Sequence, residues 1–246
     1  MACRNCWAPA VAAMLICLAM TARAEDGNVP STASLTSAQV VSQMEHRNAV
    51  RAEDLKRYKS VRHYEVSYKG FGARLDAKME VEVRFDAPAG KSFRILSQSG
   101  SKLLLDKVLK RLLETEKEAL GNQKATALSA ANYRFEMAGM DTLGGRPAYA
   151  LSVQPLTDNK LLYRGKIWVD AADFAVVKIE AEPARNPSFW ISRTEIHHTY
   201  AKTGEFWLPE QNRSESKIRV GGRAVLTIDY GAYDLNPAEV PAIATK

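Results

Sequence analysis

RLDAKMEVEVRF, residues 74–85, reads as one long β-strand. Leu75, Ala77, Met79, Val81, Val83 and Phe85 alternate without a break with Arg74, Asp76, Lys78, Glu80, Glu82 and Arg84. A period of two sends successive side chains to opposite faces, so this strand has one wet and one buried face. Gly70 and Gly72 mark the turn before it, and Pro88-Ala89-Gly90 the turn after it. Upstream, Tyr64, Val66 and Tyr68 alternate with His63, Glu65 and Ser67, and a third strand is expected near 91–98. From about 131 onward the pattern repeats. Strands are expected near 132–139, 147–155, 161–170, 174–183, 189–200, 205–220 and 223–233, with hairpin signals at Gly144-Gly145 and Gly221-Gly222. Tyr163, Ile167 and Val169 oppose Arg164, Lys166 and Trp168, Val177, Ile179 and Ala181 oppose Lys178 and Glu180, and Ala224, Leu226, Ile228 and Tyr230 oppose Arg223 and Asp229. The expected fold class is therefore mainly β, a large antiparallel sheet with one apolar and one charged face.

Two amphipathic helices accompany the strands. Thr36 with Gln39 forms a capping box, flanked by Leu35 and Val40 at the staple positions. Val41, Met44, Asn48, Ala52 and Leu55 follow at three- and four-residue spacing, which predicts a helix over 37–58. The second helix runs from a Ser101 N-cap to a stop at Gly121-Asn122, with Leu104, Leu105, Val108, Leu109, Leu112 and Leu113 on one broad stripe. Its charges oppose the macrodipole, with Lys102, Lys107, Lys110 and Arg111 early and Glu114, Glu116 and Glu118 late. Burial of the leucines has to hold it.

A sheet of about ten strands must curl, and two helices cannot cover it edge to edge. The expected architecture is a curved half-barrel with the helices over its concave face. An apolar space between such layers suits a hydrophobic ligand. The cavity candidates are Tyr64, Val66, Tyr68, Met79, Val81, Val83 and Phe85 from the first strands, Leu105, Val108, Leu109 and Leu112 from the helix, and Ile167, Val169 and Ile228 from the later strands. The alternative is a fully packed core in the same place. In EPARNPSFW (182–190), Phe189 and Trp190 are rim candidates for contact with a membrane or a partner.

The chain ends carry separate signals. Arg4, the apolar run Ala8–Ala22 and the small-x-small triplet Ala22-Arg23-Ala24 make residues 1–24 a cleavable secretory signal. The run of about 15 apolar residues falls short of the roughly 20 that span a bilayer. All three cysteines (Cys3, Cys6, Cys17) lie inside that signal, so the mature chain has no disulfide framework, Cys-based metal site or thiol nucleophile. Ile16 before Cys17 argues against lipidation there. Loss of Arg4 and Arg23 takes the net charge from +6 to +4, spread along the chain rather than in a nucleic-acid stripe. The domain layout is a signal at 1–24, a tether at 25–35, one half-barrel domain at 36–236 and a loose Pro/Ala-rich tail at 237–246.

PAGKSFRI (88–95), GGRPAYALSVQP (144–155), YRGKIWVDAADFAVVKIE (163–180) and FWLP (206–209), in a helix-first and meander-after order, resemble the outer-membrane lipoprotein-sorting (LolA/LolB-like) family. The resemblance spans roughly residues 36–235 and implies a half-open antiparallel barrel with helices across its cavity. It also implies periplasmic handling of lipid or lipoprotein acyl chains at the outer membrane. Two features depart from the family: there is no lipidation motif, and the long leucine helix at 102–120 stands where the carrier has a short lid. The carrier's lid-latching arginine aligns with no single Arg of this chain.

No catalytic residues, cofactor or metal site are expected. His197 and His198 are adjacent on a strand and point to opposite faces, so they cannot chelate one metal together. No GxSxG elbow, P-loop or dinucleotide-binding glycine pattern occurs. Two functions remain: a periplasmic carrier of lipid or acyl chains, or an envelope-stress regulator of the same fold that binds a partner protein. Processing is directly testable. Intact-mass analysis of periplasmic material should find a chain beginning at Glu25, and soluble product that keeps Cys3, Cys6 and Cys17 would refute the signal.

Overall fold

The computed structural model describes residues 35–186 and 188–237. The expected signal, nearly all of the tether, the tail beyond residue 237, and Pro187 lie outside the described residues. The described residues belong to one compact unit. Helix α1 (Ser37–Asp54) opens it, closed at its start by the expected capping box: Thr36 Oγ1 accepts from the Gln39 backbone N–H and the Gln39 side chain accepts from the Thr36 N–H. It ends four residues short of the expected 58, because the chain from Arg57 is already paired as a strand.

Three strands follow, β1 (Arg57–Gly70), β2 (Ala73–Asp86) and β3 (Gly90–Gly100). The leucine-rich connection comes next: α2 (Lys102–Leu104), a π-helical segment (Leu105–Leu109), α3 (Lys110–Gly121) and α4 (Gln123–Thr126). Seven strands complete the fold: β4 (Tyr133–Leu143), β5 (Arg146–Pro155), β6 (Tyr163–Asp170), β7 (Val176–Pro183), β8 (Ile191–Thr203), β9 (Phe206–Ile218) and β10 (Arg223–Tyr230). They make one antiparallel sheet in the order β3-β2-β1-β10-β9-β8-β7-β6-β5-β4. The expected fold class, an open curved sheet with few helices, is what the structure has.

Register defines the faces. Residues directly opposite each other in an antiparallel ladder project to the same side. One such row crosses all ten strands: Gln98, Met79, Tyr64, Ile228, Asn212, His198, Ile179, Ile167, Leu151 and Met137. Both helical elements pack on this inner face. Leu104, Leu105, Leu109 and Leu113 bury Met79, Val81, Val83, Tyr64, Val66 and Ile228 in one core. Helix α1 buries Leu151, Val153, Ile167, Val169 and Ile179 in a second core through Val40, Val41 and Met44.

Several expectations need correcting. The second helix is not regular, since its middle turn is π-helical, and Ser101 makes no side-chain cap bond. Phe189 and Trp190 precede β8 and lie in the loop before it. Trp168, which broke the alternation of its strand, is buried on the outer face with Ala148, Ala150 and Val177. A register shift after Trp168 turns Val177 outward to meet it, away from Ile179 and Ala181. Glu82 is on the outer face as expected but is not solvated there. It is only 6% exposed, sealed under Lys59, Arg84 and Arg94, whose nitrogens lie 2.9–3.3 Å from its oxygens. The Lys59 bond, then those of Arg94 and Arg84, hold its carboxyl down at about 2 against the cost of burial.

Two substitutions check this description by thermal melts. Val81→Asp puts an unpaired carboxylate into the first core and should cost more than about 4 kcal/mol. Glu82→Ala removes a buried carboxylate shared by three partly exposed cations and should cost about 1 kcal/mol. A neutral Glu82→Ala would mean that this glutamate is solvated.

Candidate functional site

Twelve of the fourteen cavity candidates converge. Tyr64, Val66, Met79, Val81, Val83, Leu105, Leu109 and Ile228 are buried together, and Tyr68, Phe85, Val108 and Leu112 pack against them. Ile167 and Val169 belong to the second core under α1. Phe189 and Trp190 are in neither core; both are exposed at one end of the sheet. The space beneath the leucine helix is filled by the helix itself. Leu109 reaches 0% exposure against Met79 and Val81. This is a closed arrangement, with the leucines packed on the concave face.

The two cores do not meet as continuous apolar surface. Between them the inner face of β8 and β9 is polar, with Asn212 beside His198, Ser214 beside Ile196, and Ser216 hydrogen-bonded to Thr194 at 2.8 Å. A column of flat groups bridges this strip. The Arg62 guanidinium lies 4.8 Å over the Tyr230 ring, the His198 ring stacks on Tyr230 at 6.0 Å, and Tyr200 stacks on His198 at 4.5 Å. Tyr230 packs against the first core and Tyr200 against the second.

Arg62 anchors the column. It is 2% exposed, on the apolar face of β1 between Ser60 and Tyr64. Its Nη1 donates to Glu116 Oε2 at 2.7 Å, and Lys91 Nζ donates to the other Glu116 oxygen at 2.9 Å. Glu116 is on α3, so this pair ties the leucine helix to β1 and β3. Burial works against the Arg62 charge, but Glu116 outweighs it and holds the guanidinium above its ordinary value. Burial likewise pushes the Glu116 carboxyl up, and Lys91 and Arg62 together hold it below the usual carboxylate range. Three buried side-chain atoms lack partners among the described residues: Ser60 Oγ, Arg62 Nε and His198 Nε2. All three belong to the inner face, and an unpaired buried polar atom carries a real cost.

Residue-by-residue reading missed this group, although its signals are present. Running the β1 alternation back from Tyr64 puts Arg62, Ser60 and Tyr58 on the inner face. Continuing the stripe of Leu105, Leu109 and Leu113 by three residues arrives at Glu116. The reading that His197 and His198 face apart also holds: His197 approaches Glu180 on the outside at 3.8 Å, and His198 faces inward.

The histidine makes the column sensitive to pH. Burial, reinforced by the Arg62 charge, lowers the His198 pKa from 6.5 to about 4, so the folded state requires the neutral ring. The stability this represents is fully present above 6.5 and is lost as pH falls toward about 4, a span of about 3 kcal/mol. Melts between those pH values should show the decline in the native protein. His198→Phe, which stacks but does not titrate, should flatten it; an unchanged slope would place the effect elsewhere.

No family model matches the chain, and no curated protein matches it. Among solved structures it is similar to a DUF1329 family protein from Desulfovibrio piger, at 10% identity over 85% of this chain and 97% of that one, with a TM-score of 0.41. It is similar to an outer membrane lipoprotein-sorting protein domain from Vibrio parahaemolyticus, at 12% identity over 82% and 94%, with a TM-score of 0.39. A LolA superfamily protein from Nitrosomonas europaea matches at 10% identity over 87% and 99%, with a TM-score of 0.33. The family that the sequence resembles is thus the one that two of these structures bear in their names. At such identities and TM-scores, the likeness assigns this chain no ligand and no partner.

Proposed function

We propose that this chain is an exported envelope protein that holds a hydrophobic ligand, a lipid or a lipoprotein acyl chain, between the inner face of β1, β2 and β10 and the leucine helix. The reading rests on one observation. The leucine helix is an apolar layer joined to the sheet by side-chain packing and fastened at its far end by the Arg62–Glu116–Lys91 cluster. Its π-helical turn coincides with Leu105 and Leu109, two of the buried leucines. A π segment is a common site of functional irregularity in a helix. Lifting the layer would exchange helix leucines for an acyl chain of similar chemistry, while the core under α1 keeps the rest of the sheet folded.

A specific observation also favours the partner-binding alternative. β3 and β4 are open edges, and exposed apolar side chains sit on both, Ile95 and Leu96 on one and Met137 and Met140 on the other. An exposed edge can accept an added strand from another protein. Substitutions on the edges and under the helix separate the two readings.

Hydrogen exchange should be faster across Lys102–Gly121 than across β2, and should slow when lipid is added. Leu109→Glu should lower binding of lipid or a hydrophobic probe at least tenfold while strands β4–β7 remain protected. Global unfolding by Leu109→Glu, with uniform protection that no lipid alters, would establish a packed core and reject the carrier.

A further inference from the structure

The two ends of the sheet differ in what their loops expose. At the end where β1 turns into β2, four connections carry large apolar side chains in solvent. They are Phe71 (75% exposed) between β1 and β2, Leu156 between β5 and β6, Phe189 (76%) and Trp190 (57%) between β7 and β8, and Val220 between β9 and β10. At the opposite end, the turns 87–89, 144–145, 171–175 and 204–205 expose no large apolar side chain among the described residues. Isolated exposed apolar residues are ordinary, but their confinement to the loops of one end is not.

Three of these loops are contiguous. Gly70 and Gly222 approach so closely that a Cβ on Gly70 would meet the Gly222 Cα at 2.8 Å. Phe71 lies over Gly221, and the Tyr68 hydroxyl donates to the Gly221 carbonyl at 3.1 Å. On the other side the Arg219 N–H donates to the Trp190 carbonyl at 2.8 Å, and the Arg219 guanidinium lies 5.4 Å over the Phe189 ring. Phe189 and Trp190 meet edge to face at 5.5 Å. Phe71, Val220, Phe189 and Trp190 thus form a row of projecting tips on a shared base.

The charge around that row is positive. Four acids near it are held by three cations: Asp76 by Arg74, Glu215 by Arg223, and both Glu182 and Glu195 by Arg193, which leaves one uncompensated negative charge against the four cations that follow. Lys69, Arg185 and Lys217 make no ion pair among the described residues, and Arg219 is engaged only with the aromatic ring and backbone of the loop. A cleft of about 660 Å³ opens beside Phe71, lined by Lys69, Arg74 and Arg223 among others. The fourth loop adds Leu156 with Asp158 and Lys160 nearby, and so no net charge.

We infer that this end of the sheet is a docking surface for an anionic lipid bilayer: Phe71, Phe189, Trp190 and Val220 enter the headgroup region, and Lys69, Arg185, Lys217 and Arg219 meet its phosphates. Aromatic side chains favour the interface between headgroups and hydrocarbon. Clustered cations beside them add attraction to anionic lipid, and the combination of a shallow apolar surface with basic residues is the signature of peripheral binding. Separate protruding tips suit a deformable surface better than the fitted pocket of a protein partner. The surface is distinct from the leucine-covered inner face and does not require that an acyl chain be carried there.

Flotation of the full chain with phosphatidylcholine vesicles, and with vesicles that also contain phosphatidylglycerol, tests the assignment. Binding should appear on the anionic vesicles and weaken as salt rises from about 0.05 to about 0.5 M. Trp190 emission should shift to the blue and be quenched by brominated acyl chains. The triple change Phe71→Ser, Phe189→Ser and Trp190→Ser, and separately Lys69→Glu with Arg219→Glu, should each lower binding at least tenfold with the melting temperature unchanged. Val50→Ser, an exposed position on α1, should leave it unaltered. No binding, equal binding to neutral and anionic vesicles, binding indifferent to both sets of changes, or a dimer that these changes dissolve would each overturn the proposal.

Discussion

The pairing of β1 with β10 is the constraint on which the other features depend. It joins the first hairpins to the last strands, so that β3 and β4, neighbours in sequence, become the two opposite edges of one sheet. The chain between them, residues 101–132, must then cross the whole width. Nine strand spacings of a flat sheet span about 43 Å, whereas a helix the length of Lys102–Gly121 covers about 30 Å. Curling brings the edges closer to that reach and turns the crossing segment into a layer across the concavity. The leucine stripe is where it is because the topology leaves the helix no shorter route.

Two cores follow from that arrangement. The crossing helix covers the half of the inner face made by β1, β2 and β10, and α1 covers the half made by β5, β6 and β7. The strip between them, on β8 and β9, is polar, as Asn212, Ser214, Ser216 and Thr194 show. The column of Arg62, Tyr230, His198 and Tyr200 connects the halves across it. A guanidinium at 2% exposure is tolerable only because Glu116 meets it at 2.7 Å from the helix above. The charge that fastens the helix therefore also anchors the column. Each half of the sheet thus has its own covering layer and its own core.

The outer face obeys a different logic at its two ends. Near β2 and β3 it carries alternating charges, with Glu82 drawn down among three cations. Across β5, β6 and β7 it carries a small buried cluster around Trp168, with the Lys178 ammonium 4.6 Å over the indole. At the end of the sheet where Phe71, Phe189 and Trp190 project, neighbouring loops rather than one strand build the surface, so the linear sequence announces only its Phe189–Trp190 part.

The sequence by itself determined the elements and their faces. The unbroken alternation of 74–85, the capping box at Thr36 and Gln39, and the leucine stripe at 104–113 each rest on interactions between residues a few positions apart, which a period exposes. It equally determined that Leu105, Leu109 and the β2 valines are apolar partners, because both stripes need cover. Tertiary structure alone decided that Arg62 meets Glu116, 54 residues away, that Glu82 is sealed rather than wet, and that Ile167 and Val169 join α1 instead of the leucine helix. These depend on strand order and register. A period of two tells which side of a strand a residue faces, but not which strand stands beside it or which helix lies above.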